Sequence, residues 1–111
     1  MLSLSKHEDV EEESMALFVI SYIDKPNSLP LRMANREAHL AYAHSKDAPA
    51  TVKLGGPYLD DKGDMAGSLI VVEAPDKAAA QAFTENDPYV RAGLFSSVDV
   101  RPFRVTMNRM G

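Results

Sequence analysis

The chain contains no cysteine and no tryptophan among its 111 residues. Disulfides, thiolate nucleophiles and cysteine-based zinc sites are therefore excluded. A chain without cysteine suits a reducing compartment. No apolar run approaches the roughly 20 residues needed to cross a bilayer. The first residues lack the basic start and apolar stretch of a secretory signal. The expected location is cytoplasmic, away from membranes.

Positive charge is also in short supply. The net charge is -4. Residues 1–14 hold one lysine against Glu8, Asp9, Glu11, Glu12 and Glu13, which accounts for the whole excess. The remainder balances at 11 basic and 11 acidic residues. No global basic field is left to attract nucleic acid. The acidic run reads as a solvated extension over residues 1–14. A domain over 15–106 follows, then a short tail over 107–111.

What is present suits a small globular domain: 45% hydrophobic and 25% charged residues. A chain of this length buries only about 65% of the surface its unfolded form exposes. Its core is thin, and a second copy is the simplest cover for any apolar sheet face left open.

Ala16 to Ile23 is rich in β-branched and aromatic residues and reads as a buried strand. Asp24-Lys25-Pro26-Asn27 ends it with turn chemistry. Ser28 is placed to cap a helix running from Leu29 to about Ser45, with Pro30 in its first turn. At about 100° per residue, Leu29, Met33 and Leu40 form an apolar stripe along which this helix is expected to pack. Arg32, Arg36 and His39 form a second row, expected to point to the side. Thr51 to Leu54 reads as a short strand running into Gly55-Gly56-Pro57-Tyr58. Asp60 to Asp64 reads as a hairpin turn and Ser68 to Glu73 as the third strand. Pro75 and Asp76 open a second helix, which Asn86-Asp87-Pro88 breaks. A helical turn from Pro88 to Gly93 leads to a last strand over Phe95 to Arg104, with Val98, Val100 and Phe103 as core positions. The order βαββαβ is the split ferredoxin-like unit, an α+β fold with an antiparallel sheet.

Three motifs carry chemistry. His39 sits mid-helix beside two arginines. The ordinary reading is a packed or surface histidine on a solvated face. The functional one is a general base, with the arginines attracting an anion and favouring the neutral imidazole. Gly55-Gly56-Pro57 permits close approach of a backbone or ligand, or marks a bulge before the hairpin. Asp87-Pro88-Tyr89 places a carboxylate at a fixed kink. That carboxylate caps the next helical turn, or holds the far nitrogen of a histidine and sets its tautomer. Tyr89 adds an apolar wall with a hydroxyl. No metal site is expected, since His39 and His44 stand about 140° apart on a helix and face different ways.

Several stretches together resemble the YciI-like family. They are Phe18-Val19-Ile20, the row from Arg32 and Arg36 to His39-Leu40, Gly55-Gly56-Pro57, Gly67-Ser68, Ala82-Phe83, Asp87-Pro88-Tyr89, Ala92-Gly93-Leu94-Phe95, and Val98 to Phe103. The resemblance covers Met15 to Arg104. It implies a ferredoxin-like fold dimerising through its sheets into an α+β barrel. It also implies a pocket with a His39–Asp87 pair, near which Ser68, Gly56 and Tyr89 fall. One branch of the family acts as dehydrochlorinases on chlorinated hydroxyquinones, and related folds include muconolactone isomerases.

The expected function is a cofactor-free enzyme of isomerase or dehydrochlorinase type. His39 moves a proton on a small anionic cyclic or aromatic substrate, and Asp87 orients it. Arg32 and Arg36 hold negative charge, and Gly56, Pro57, Ser68 and Tyr89 contact the substrate. The alternatives are a non-catalytic metabolite-binding or regulatory module and a purely structural interaction domain. A haem-degrading or quinone-oxidising monooxygenase fits less well, for want of tryptophan and of a second suitably placed histidine.

Overall fold

The computed structural model describes residues 15–110. The acidic extension read over residues 1–14 lies outside the described residues. The elements run β1 (Ala16–Asp24), α1 (Leu29–Ala43), β2 (Thr51–Leu59), β3 (Met65–Ala74), α2 (Lys77–Glu85), α3 (Pro88–Arg91) and β4 (Phe95–Phe103). The four strands form one antiparallel sheet in the order β2-β3-β1-β4. This is the ferredoxin-like α+β fold that the order of elements implies.

β1 occupies an inner position because its alternate residues serve both faces. Phe18, Ile20 and Tyr22 are buried on the helix face, opposite Val72, Ile70 and Ser68 of β3. Phe83 and Ala80 of α2 close over them to complete the core. Burying each large apolar side chain contributes roughly 1.5–3 kcal/mol. Asp76 caps α2, accepting the Ala79 N–H at 2.9 Å.

Four expectations need correction. The first concerns α1. Its apolar stripe does not pack: Met33 is 52% and Leu40 37% exposed, whereas Arg32 and His39 are its buried residues. Arg32 and His39 turn inward because each has a carboxylate waiting inside the fold, while Arg36 stays exposed. Second, Ser28 stands at the N-cap, but its hydroxyl turns back to Pro26 O at 3.4 Å and caps nothing. Third, β2 does not end at Leu54. It continues through both glycines to Leu59, since β3 offers partners along its whole length. Fourth, Val98 and Phe103 are exposed. β4 is an edge strand with β1 as its one sheet neighbour, so its apolar side chains lack cover on one side.

Asp60 to Asp64 forms the expected turn, closed by Asp60 N–H donating to Asp64 O at 2.8 Å. Gly63 there has φ +88°, a conformation that favours glycine.

Gly67 is required for another reason. A Cβ at this position would lie 2.4 Å from Tyr22 O on the neighbouring strand and 2.9 Å from the Tyr58 ring. Gly67→Ala therefore has to push β3 away from β1. We expect it to lower unfolding free energy by about 2–3 kcal/mol in urea titrations.

Candidate active site

α1 lies close against α3 and is tied to the sheet through Arg32, which reaches Asp24 of β1 and Ser68 of β3. A cavity of about 380 Å³ opens in the gap between α1, β2 and β3. That is within the usual range for a small-molecule pocket, roughly 300–1,000 Å³. Its wall includes Arg32, Arg36, His39 and His44 from α1 and its C-cap, the β2 run through Gly56 and Pro57, Ser68 of β3, and Tyr89 of α3.

Asp87 is placed by local rules. Pro88 disfavours helical geometry in the preceding residue, and Asp87 is extended at φ -70° and ψ 130°. Its carboxylate then caps α3, accepting the Tyr89 N–H at 2.9 Å. The same carboxylate meets His39 Nδ1 at 2.9 Å and 3.1 Å. Both sequence readings of Asp87 hold at once: it caps a helix and it holds a histidine. Asp87 is fully buried and His39 is 7% exposed.

With Nδ1–H donated to Asp87, Nε2 is the free nitrogen of His39. It has no hydrogen-bond partner among the described residues, and it is not among the sealed, unpartnered atoms. The ring is held flat against Tyr89, with centroids 4.0 Å apart and planes 11° apart. Tyr89 also meets Phe95 edge-on at 5.9 Å. Burial raises the Tyr89 phenol above its ordinary value, with Arg32 and Arg36 pulling the other way.

Arg32 is 3% exposed and already committed. It donates from Nε and Nη2 to both oxygens of Asp24, at 2.8 Å and 2.9 Å. Nη2 also donates to Ser68 Oγ at 3.0 Å, and the guanidinium lies 4.8 Å from the Tyr89 ring centre. Burial pulls its pKa down, but the hydrogen bond and charge of Asp24 outweigh that and hold it above the ordinary value. Arg36 is exposed, lines the cavity and has no hydrogen-bond or ion-pair partner among the described residues. Of the two arginines, Arg36 is the cation free to meet a ligand.

The cavity thus brings together Arg32, Arg36, His39, Gly56, Pro57, Ser68 and Tyr89, with Asp87 directly behind His39. His44 lines the same cavity, contrary to the expectation that it faces away. Among the described residues, no group of three or more potential ligands gathers as a metal site would require.

Two residues of the site carry no functional signal in the sequence. Asp24 looked like turn chemistry, and only the fold takes it to Arg32. Tyr22 looked like strand core, yet its hydroxyl is buried without a partner. Burial first, then the Asp87 charge, push that phenol far above its ordinary value.

Fold and site define the class: a ferredoxin-like α+β protein whose cavity holds a carboxylate-backed histidine. Residues 16–104 match the YCII-related domain, and the chain belongs to that family. It is 36% identical over 94 residues to the Escherichia coli protein YciI, covering 79% of this chain and 96% of that one. Among solved structures it is 39% identical, with a TM-score of 0.70, to a 5-chloro-2-hydroxyhydroquinone dehydrochlorinase from Burkholderia phenoliruptrix, which was solved with 2,5-dihydroxybenzoquinone. That match covers 79% of this chain and 93% of the other. A Bacteroides thetaiotaomicron protein of the antibiotic biosynthesis monooxygenase type shares the fold at a TM-score of 0.54, with 10% identity over 89% of this chain and 96% of its own.

The Arg32–Asp24 pair carries a stability consequence. Asp24→Asn leaves a buried guanidinium without its charge partner, which should cost roughly 3–5 kcal/mol in denaturant unfolding. Asp99→Asn, at the exposed Asp99–Arg101 pair, should leave stability unchanged in the same assay.

Proposed function

We propose that this chain is a cofactor-independent enzyme of lyase or isomerase type, acting by proton transfer on a small anionic cyclic or aromatic substrate in the cytoplasm. The observation that carries the reading is the His39–Asp87 hydrogen bond of 2.9 Å, with Nε2 left unpartnered at a cavity. Asp87 fixes the tautomer in which Nε2 bears the lone pair. Nε2 takes a proton from an acidic carbon, and the imidazolium that forms is stabilised by the carboxylate behind it. In an elimination, the electron pair of the broken C–H bond forms the new double bond. The leaving group departs from the adjacent carbon with its own bonding pair. In an isomerisation, the same proton returns at another carbon. Arg36 attracts the anionic substrate, while Gly56 and Pro57 present a backbone wall. Arg32 and Ser68 act through Tyr89, which keeps the imidazole oriented. The 39% identity to a dehydrochlorinase supports the lyase form of the reading.

The test begins with chloride release from 5-chloro-2-hydroxyhydroquinone, extended to a panel of hydroxyquinones and small cyclic carboxylates. His39→Ala should lower kcat/KM by about 10²–10⁴-fold, the usual share of a positioned acid–base histidine. Asp87→Asn should lower kcat more than it raises KM. Unchanged turnover in both variants rejects the mechanism. Saturable binding with no conversion of any substrate turns the reading to a ligand-binding module.

The working unit we propose is a homodimer joined through the sheet face opposite the helices. Ile23, Leu54 and Phe103 are exposed, and the register with Leu17, Leu69 and Val71 puts them on that face. Sedimentation should report twice the 12.2 kDa chain mass. Phe103→Asp, at an exposed position of that face, should yield a monomer, and a wild-type monomer at micromolar concentration contradicts the assignment.

A further inference from the structure

The cavity wall holds cations and no carboxylate. Arg32, Arg36 and Lys53 line it, together with the imidazoles of His39 and His44. The two nearby acids are already engaged, Asp24 by Arg32 and Asp87 by His39. A single anionic group on a ligand would meet Arg36 and leave the other end of the cavity uncompensated. Arg36 and His44 are eight positions apart along α1 and its cap. At about 1.5 Å of rise per residue they stand roughly 12 Å apart along the axis, with His39 between them.

The sheet contributes a specific device at that far end. The β2–β3 register pairs Val52 with Val72 and then Leu54 with Val71, so Lys53 is the extra residue of a β-bulge. In a regular strand, Lys53 would take the face opposite Val52, away from the helices. The bulge at Lys53 interrupts that alternation, and Lys53 is in the cavity wall. Past the bulge, Gly55 pairs with Ile70 on the helix face. A Cβ at Gly55 would sit 3.5 Å from Ile70 Cγ1, an ordinary contact, so the strand itself does not demand glycine there. Its bare backbone leaves the floor clear between the histidine and the lysine.

We infer that the cavity has a second anion-binding end, formed by Lys53 with His44, and that it selects ligands carrying two negative groups on opposite sides of a small flat body. Arg36 takes one group, Lys53 and His44 the other, and the body lies over Gly55 beside His39. The inference rests on the cavity being the ligand site, as in the proposed function, but not on any reaction taking place there.

Binding of terephthalate, a flat dianion with para carboxylates, and of benzoate, its monoanionic counterpart, tests this by titration calorimetry. The wild-type protein should bind terephthalate about tenfold more tightly than benzoate, the gain expected from one further partly enclosed charge contact. Lys53→Gln should remove most of that advantage while leaving benzoate affinity unchanged. Arg36→Gln should weaken both ligands. Gly55→Val should weaken both and leave the melting temperature unchanged or higher, because a β-branched residue suits a strand. Equal affinity of the wild type for the two ligands, or a Lys53→Gln variant that keeps the full preference, overturns the assignment. A dianion preference without turnover of any substrate upholds it and removes the enzymatic reading instead.

Discussion

Two nitrogenous side chains of α1 are buried against carboxylates, and that pairing sets how the helix sits. An unpaired guanidinium or a half-satisfied imidazole inside a protein costs several kcal/mol, so each fixes the position of its partner. Arg32 requires Asp24 at the end of β1, and His39 requires Asp87 at the kink before α3. These two requirements orient α1 with Arg32 and His39 inward and Met33 in the open. They also tie the helix to β1 and to the kink before α3, and the cavity lies between it, β2 and β3.

A site built in this way is ordered before any ligand arrives. Asp87 cannot move without losing the Tyr89 N–H as well as His39, and Tyr89 is held by the imidazole stacked on it, the Arg32 guanidinium and the edge-on contact with Phe95. Preorganisation of this kind keeps the imidazole in one orientation. The tightest part of the network is also the part furthest from solvent. Arg36, Lys53 and His44, which meet the outside, have no side-chain hydrogen-bond or ion-pair partner among the described residues.

Much of this was legible beforehand, for identifiable reasons. Strands such as Ala16 to Ile23 announce themselves through β-branched residues, and Asp76 and Pro88 punctuate the helices with local chemistry. The Asp87 cap follows from the proline beside it. The inward turn of α1 was not legible, because hydropathy ranks Met33 above Arg32 and takes no account of a partner eight residues upstream in another element. The length of β2 escaped for a similar reason: two glycines and a proline are poor strand formers alone, and β3 overrides them with a full ladder.

Local chemistry along the chain sets the order of the elements, the angular neighbourhood of Arg32, Arg36 and His39 on one helix, and the extended kink at Asp87. Each depends on bonds and torsions within a few residues. The closed fold sets which way α1 is rotated, that His39 meets a carboxylate 48 positions away, and that Arg32 is engaged while Arg36 has no partner among the described residues. Helical periodicity fixes the angles between side chains on one helix but not the rotation of that helix over a sheet. That rotation is set by the cost of leaving buried charge unpaired, a quantity that exists only once the chain has closed around it.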